Sequence, residues 1–317
     1  MTAPIGDNLL RYNPLWVADV GASGGPSPRW GRFTSKVNVV LFEPDPRAYE
    51  ALRSCFAGNV TVVNSALSES PGEVPFNLCR KQQISSVYTP NQGFVERFPE
   101  PGRFAIIKTE TMRGDTLDNQ LKQNAVPDID FVKIDTQGHE LPILRGAPES
   151  LRKTVGLQLE VEFAPIYREQ PLFCDVDAFV REAGFELFDI TRCYWQRANA
   201  ARYKGRKGQL IFGDALYLRA PEQMLASEGI THQKIERALA VYLVFGYPDL
   251  ARKLFEDAAG SGLIPERNHP CITSLLAAFE GPYPASSGPG AAGATTGHGG
   301  QRGNALLSWT EEDLGNP

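Results

Sequence analysis

Residues that build metal centres and disulfide frameworks are scarce in this sequence. Its 317 residues include four histidines and five cysteines, and no CxxC pair or comparable ligand spacing occurs. The cysteines are scattered along the chain at positions 55, 79, 174, 193 and 271. This pattern predicts reduced thiols in a cytoplasmic protein and gives no set of metal ligands.

Long apolar runs and an excess of positive charge are also missing. No stretch reaches the roughly 18 apolar residues of a membrane span, and residues 1–8 lack the basic and apolar segments of a signal peptide. The formal net charge of −5 argues against a general nucleic-acid binder, which would carry a basic domain or stripe. We therefore expect neither a membrane nor a nucleic acid as partner.

Apolar runs of strand length alternate with amphipathic segments over the first 220 residues. Strands are predicted at 15–20, 37–42, 60–63, 128–135, 155–163, 185–190 and 215–218, and the main helices between them at 44–56, 116–123, 139–151 and 173–183. A strand–helix–strand rhythm implies right-handed crossovers and a parallel sheet. The predicted fold class is therefore α/β, with helices on both faces of a mostly parallel sheet.

Two segments interrupt this rhythm, and a third region follows it. Residues 68–115 are predicted to be an insertion that folds back over the sheet, and residues 192–208 a long basic and aromatic loop. After Pro221, helices at 231–245 and 248–258 would form a small helical annex, through which the chain could form a homo-oligomer. We therefore divide the chain into a domain at 1–220, the annex at 221–280 and a flexible Gly/Ala/Ser-rich tail at 281–317.

A cluster of small residues, Gly21 to Gly25, follows the first strand. Glycine allows a positive φ and lets the backbone approach a ligand closely, which suggests a nucleotide-like ligand at the carboxyl ends of parallel strands. The pattern is G-x-x-G-G rather than G-x-G-x-x-G, and glycines also end strands for packing reasons. The turn alone therefore does not identify the ligand.

Acidic residues end two further strands. Glu43 follows the second strand, where a carboxylate can accept hydrogen bonds from both hydroxyls of a ribose or favour the start of the next helix. Asp135 ends the central strand, where it can face a ligand or cap the helix that follows. His139, at the start of that helix, could act as a general base or be an ordinary surface histidine.

Taken together, these stretches resemble the FkbM family of S-adenosylmethionine-dependent methyltransferases. The matching segments are VADVGASGG at 17–25, LFEPDP at 41–46, NSALS at 64–68, GDTLD at 114–118, FVKIDTQGHEL at 131–141 and LRGA at 144–147. They occur in order over about residues 15–219. The family commonly has Glu and Ala where this chain has Gln137 and His139, and the loss of an acid at Gln137 weakens any argument for a metal there.

The resemblance implies a Rossmann-like class I methyltransferase fold with a seven-stranded sheet, and S-adenosyl-L-methionine as cofactor. It implies that Asp19 and the glycines shape the pocket for the methionine part, that Glu43 holds the ribose and that Asp135 lies near the sulfonium. The two residues at 65–66 would lie beside the adenine. The cofactor-binding residues that it implies are Asp19, Gly21, Ala22, Ser23, Gly25, Glu43, Pro44, Ser65, Ala66 and Asp135.

The expected function is O-methylation of a hydroxyl on a small molecule or sugar. Displacement at a sulfonium needs positioning and, for a hydroxyl, a base, and Asp135 or His139 would take or orient the proton. Two alternatives are open: an NAD-dependent oxidoreductase with a Rossmann-type fold, and a non-catalytic cofactor-binding member that works through the annex. We expect the segments 68–115 and 192–208 to select the acceptor, which the sequence does not name.

Overall fold

The computed structural model describes residues 4–203 and 207–281. Numbered in chain order, the strands are β1 Leu15–Val20, β2 Val37–Phe42, β3 Val60–Val63, β4 Ala66–Leu67, β5 Gly72–Cys79, β6 Ile106–Asp115, β7 Phe131–Ile134, β8 Gly156–Glu162, β9 Glu186–Trp195 and β10 Gln209–Leu218. The α-helices are α1 Pro28–Phe33, α2 Pro46–Cys55, α3 Gln92–Val95, α4 Leu117–Gln123, α5 Glu140–Arg145, α6 Pro148–Lys153, α7 Phe173–Glu182, α8 Pro221–Leu225, α9 His232–Val244, α10 Pro248–Gly260 and α11 His269–Ala277.

The central sheet has seven strands in the order β3-β2-β1-β7-β8-β10-β9. The five strands from β3 to β8 run parallel, whereas β10 is antiparallel to both of its neighbours. The chain leaves β1 towards β2 on one side and returns to place β7 on the other side. Such a reversal of strand order opens a crevice at the carboxyl ends of the strands, where ligands of this fold class bind.

Each face of the sheet has its own hydrophobic core, because successive side chains of a strand point to opposite faces. Val17 belongs to the core that also contains apolar residues of α1, α9, α10 and α11. Its neighbour Ala18 belongs to the core that contains residues of α4, α5, α6 and α7. The predicted α/β class, the helices on both faces and the C-terminal helical region are confirmed.

A second, three-stranded sheet in the order β4-β6-β5 interrupts the alternation at the predicted insertion. Strand β6 pairs antiparallel with β5 over most of its length and parallel with the short β4. After β5 the chain folds back, and Asn77 and Ser86 exchange two backbone hydrogen bonds of 2.8 and 3.2 Å. This small sheet and the loops after it form one wall of the cavity described below.

Two predicted boundaries were wrong. The helix predicted at 139–151 is divided into α5 and α6 around Gly146 and Ala147; Gly146 caps α5, and Pro148, which has no N–H to donate, begins α6. The loop predicted at 192–208 is shorter, because β9 and β10 stay paired as far as Trp195 and Gln209. The first difference is set locally by Gly146 and Pro148, and the second by the pairing of the two strands.

The described C-terminal residues are helical, whereas the predicted tail at 281–317 lies outside the described residues except for Gly281. Thr231 caps α9 by accepting a hydrogen bond from the Lys234 N–H at 3.2 Å. Over residues 4–203 and 207–281, no helix combines the length and apolar composition needed to cross a bilayer. All five cysteines lie in these ranges, and all are free thiols.

Candidate active site

The carboxyl ends of β1, β2 and β7 open into a cavity of about 580 Å³. Its lining includes the turn after β1, the residues that follow β2, and Asp135 to Gln137 after β7. The predicted residues that line it are Gly21, Ala22, Ser23, Gly25, Glu43, Pro44 and Asp135. Seven of the residues that the sequence predicts for the site therefore share one cavity.

Gly21 allows the ends of β1 and β7 to lie almost in contact. Its φ is +78°, and a Cβ atom at this position would lie 1.9 Å from the carbonyl oxygen of Asp135. Its N–H donates to the Phe42 carbonyl of β2 at 2.9 Å. By contrast, a Cβ at Gly24 would meet no heavy atom within 4 Å. The two glycines are therefore not equivalent, and only Gly21 is required by the backbone.

Asp19 is linked to the cavity through Lys133, which lines it. It is 3 % exposed, it does not appear in the cavity lining, and its Oδ1 accepts a hydrogen bond from Lys133 Nζ at 3.3 Å. The same Lys133 Nζ lies 3.7 Å from Asp135 Oδ2. Burial raises the pKa of Asp19; for Lys133 burial acts in the opposite direction, but the nearby carboxylates Asp19 and Asp135 raise its pKa. The lysine thus links a buried acid to the acid that faces the cavity.

Glu43 presents a carboxyl group to the cavity at the end of β2. Its Oε1 accepts a hydrogen bond from the Asp45 N–H at 2.8 Å. Burial, followed by the negative charges of Asp45 and Asp135, raises the pKa of Glu43 to about 7. The ionised form can accept hydrogen bonds from a pair of hydroxyl groups, and the protonated form accepts them less well.

Ser65 and Ala66, predicted beside the adenine, are not among the residues that line the cavity. They directly follow Asn64, whose Nδ2 donates to the Glu43 carbonyl at 2.9 Å. Ser65 Oγ donates to the Ala66 carbonyl at 3.2 Å. Asn64 thus connects this segment to the backbone of Glu43, and the contact of Ser65 and Ala66 with the adenine stays a prediction.

Gln137 holds two acids in place at the cavity. Its Nε2 donates to Asp135 Oδ1 at 3.0 Å and to Glu160 Oε2 at 2.5 Å. Its Oε1 accepts a hydrogen bond from the Tyr167 hydroxyl at 3.1 Å, and its backbone has a φ of +59°, which is uncommon outside glycine. A glutamate here would offer no N–H to either acid, so the amide accounts for this departure from the family pattern.

His139, the second predicted catalytic residue, lies outside the cavity lining. Its Nε2 lies 3.1 Å from Ser68 Oγ, and its ring packs edge-on against Tyr88. Nδ1 is buried and has no hydrogen-bond partner among residues 4–203 and 207–281. Burial lowers the pKa of His139 to about 4. The geometry therefore favours Asp135 over His139 as the base, and the role of His139 stays a prediction.

Three buried glutamates converge behind Asp135. Carboxylate oxygens of Glu140, Glu160 and Glu162 all lie within 4.8 Å of one another. Burial raises the pKa of Glu140 to about 7, and it raises the pKa of Glu160 and of Glu162 well above the ordinary range. Such a group can share protons or a hard cation. Glu160 and Glu162 are two residues apart in β8, so the sequence spacing alone places both side chains on one face of the sheet. The approach of Glu140 to them depends on tertiary packing.

Aromatic and basic side chains form the other half of the cavity. They come from the insertion and from the β9–β10 hairpin, and they were not predicted individually. The aromatic residues of this half are Phe76, Phe104, Tyr194, Trp195 and Phe212. The basic residues are Lys81, Arg103 and Arg192. The cavity lining therefore combines acidic side chains with aromatic and basic ones.

A family model described as the methyltransferase FkbM domain matches residues 19–187. The chain is 27 % identical to the 2-O-methyltransferase NoeI of Sinorhizobium fredii over 195 residues, covering 57 % of this chain and 76 % of that protein. It is 28 % identical to the hexuronic acid methyltransferase AglP of Haloferax volcanii over 131 residues, covering 40 % of this chain and 48 % of AglP.

Among solved structures, one similar chain is the precorrin-6y C5,15-methyltransferase of Geobacter metallireducens. It has 13 % sequence identity and a TM-score of 0.36, and the match covers 68 % of this chain and 86 % of that one. A TehB-like S-adenosylmethionine-dependent methyltransferase of Corynebacterium glutamicum matches with 10 % identity and a TM-score of 0.32, covering 68 % and 88 % of the two chains.

Proposed function

Because this chain belongs to the FkbM family of S-adenosylmethionine-dependent methyltransferases, we propose that it transfers a methyl group to a hydroxyl oxygen of a sugar. The observation that carries the proposal is that Asp135 lines the same cavity as the glycine turn, Glu43 and the aromatic wall. Family membership decides against the NAD-dependent alternative.

The acidic end of the cavity fits the cofactor. The turn from Gly21 to Gly25 lines this end of the cavity, and Glu43 offers a carboxylate of the kind that holds ribose hydroxyls. The carboxylates Glu43 and Asp135 also suit a ligand that carries positive charge. When bound, S-adenosylmethionine supplies an electrophilic methyl group on a sulfonium.

The base in this proposal is Asp135. It is held by the Gln137 amide at 3.0 Å and by Lys133 at 3.7 Å, so its carboxylate has a fixed orientation in the cavity. An oriented carboxylate can accept the proton of an acceptor hydroxyl as the oxygen forms its new bond to carbon. The proposed role of Lys133 is to help fix the orientation of the Asp135 carboxylate.

A sugar acceptor is supported by the composition of the opposite wall. Sites for small molecules combine mostly apolar and aromatic linings with a few oriented polar groups, and Phe104, Trp195 and Phe212 provide such a lining here. NoeI is named a 2-O-methyltransferase and AglP a hexuronic acid methyltransferase, which makes a hydroxyl of a sugar the first acceptor to test.

The free thiols support the cytoplasm as location.

The test is methyl transfer from isotopically labelled S-adenosylmethionine to a panel of mono- and oligosaccharides, with the position of the methyl group read by NMR. We expect an O-methyl product. Asp135→Asn should lower kcat by roughly 100-fold or more, as expected for a general base. Asp249→Asn is the matched control, because Asp249 is exposed on α10. A methyl group on nitrogen or carbon, or an Asp135→Asn variant with wild-type kcat, would contradict the proposal.

A further inference from the structure

The basic side chains of the cavity are distributed unevenly. Lys133, at the acidic end, is paired with Asp19 and Asp135. Lys81, Arg103 and Arg192, at the aromatic end, form no ion pair with any carboxylate of residues 4–203 and 207–281. Three positive charges therefore line this half of the cavity without an ion-pair partner in the described residues, although the acid Asp214 of β10 also lines the cavity.

Arg103 is the most firmly held of the three. It lies in a short 3-10 helix at Pro101–Phe104, and its guanidinium carbon lies 4.9 Å from the ring centre of Trp195 and 5.2 Å from that of Phe104. Aromatic faces of this kind attract a guanidinium and fix its plane. The contact also joins the insertion to the β9–β10 hairpin.

The hydrogen-bonding capacity of Arg103 is not used within the described part of the chain. Its Nε is buried and has no partner there, and its guanidinium makes no ion pair. A guanidinium presents several N–H donors in a planar fork, which matches a carboxylate or a phosphate ester. Lys81 and Arg192 are exposed at the same end of the cavity and add positive charge.

We propose that the acceptor is an anionic sugar whose carboxylate or acid-ester group binds to Arg103, with Lys81 and Arg192 strengthening the attraction. This inference rests on the proposed function, because the basic end of the cavity is where the acceptor would lie. The cavity is then divided by charge: a cationic cofactor binds at the acidic end and an anionic acceptor at the basic end.

The experiment is an NMR titration of the full-length protein, saturated with S-adenosylhomocysteine, with D-glucuronate, D-glucose 6-phosphate and D-glucose at low ionic strength. We expect at least one of the two anions to bind about tenfold more tightly than D-glucose. The comparison of D-glucuronate with D-glucose 6-phosphate identifies which acid group the site prefers.

Arg103→Gln should remove the preference for the anion while the Kd values for D-glucose and for S-adenosylhomocysteine stay unchanged. Arg103→Lys, which keeps the charge, should restore part of the preference. Arg113→Gln is the matched control, because Arg113 is an exposed arginine of β6 in the same insertion and is not in the cavity lining. The unchanged Kd for S-adenosylhomocysteine also shows that each variant is folded.

The proposal is wrong if neither anion binds more tightly than D-glucose, or if Arg103→Gln weakens all three sugars by the same factor. The second result would mean that Arg103 only packs between the two aromatic rings. Methylation of neutral sugars without any preference for anions would overturn this inference alone. Selective anion binding without any sugar methylation would instead overturn the proposed function.

Discussion

Glu43 is a buried carboxyl group, and in its proposed role its charge state would govern how well it holds a ribose. Burial raises its pKa to about 7, and only the ionised form offers both oxygens as acceptors. We therefore expect the affinity for S-adenosylhomocysteine to fall about tenfold for each pH unit below pH 7 and to level off above it. Calorimetric titrations between about pH 5.5 and 8.5 measure this dependence.

The control for this prediction is Glu43→Gln, which removes the titrating group and keeps its size. It should bind more weakly at pH 8 and lose the pH dependence near pH 7. The same raised pKa also makes stability depend on pH. Between about pH 4.5 and pH 7 the folded state binds more protons than the unfolded state, so the free energy of unfolding falls as the pH rises. Glu43→Gln should flatten that fall, and an unchanged slope would contradict the assigned pKa.

At the scale of single residues, the sequence could identify groups that lie at strand ends. Gly21, Glu43 and Asp135 each directly follow or end a predictable strand, and parallel strands bring such positions together. Gln137 could be recognised as a departure, but its partners Glu160 and Tyr167 are fixed only by tertiary packing. The same holds for Arg103, whose aromatic neighbour Trp195 is far away in sequence.

Helix α9 is attached to the sheet through a buried acid just before β7. Asp130 is fully buried, and its Oδ1 accepts hydrogen bonds from Lys234 Nζ at 2.6 Å and Arg237 Nε at 2.8 Å. Its Oδ2 accepts a hydrogen bond from the Trp16 N–H of β1 at 2.9 Å. One carboxylate thus connects β1, the approach to β7 and α9.

Asp130→Ala should lower the free energy of unfolding by about 3–5 kcal/mol, because it leaves two largely buried cations without their partner. Asp128→Ala is the matched control two residues away: its ion pair with Lys153 is exposed on both sides, and such pairs contribute about 0–1 kcal/mol. Urea unfolding of both variants makes the comparison. Equal losses for the two substitutions would contradict the connecting role of Asp130.

Elements were predictable where local signals were strong. Thr116 caps α4 and Thr231 caps α9, and both helices begin within one residue of the predicted start. The break between α5 and α6 was missed although Gly146 and Pro148 mark it, because the apolar spacing continues across both. Strands β9 and β10 extend beyond their apolar cores because each supplies the other with hydrogen-bond partners.

For the molecule as a whole, alternation of strands and helices was sufficient to predict the parallel part of the sheet. It was not sufficient to predict which sheet face the C-terminal helices would cover. Phe245, at the end of α9, stacks on Phe131 of β7 with ring centres 4.6 Å apart and meets Trp30 of α1 edge-on at 5.7 Å. The helices after Pro221 therefore share a hydrophobic core with the sheet.

This shared core predicts that the sheet and the C-terminal helices unfold together. A boundary near residue 220 separates the elements only by their order along the chain. If the helices folded as a separate unit, Val17, Phe131 and the rest of that sheet face would be exposed to water. This exposure would cost about 25 cal/mol for each Å² of apolar surface. We expect one urea transition, with coincident midpoints from far-UV circular dichroism and from tryptophan fluorescence.

Phe245→Ala tests the shared core directly and should lower the free energy of unfolding by about 3–5 kcal/mol while the transition stays single. Phe255→Ala is the comparison, because Phe255 meets His269 within the helical region and is only partly buried against the shared core. If the helices were a separate unit, Phe255→Ala would unfold them early while the sheet kept its fluorescence. Since Phe255 packs against the same hydrophobic core as Phe245 and the sheet, we expect this variant to lower both probes' midpoints equally.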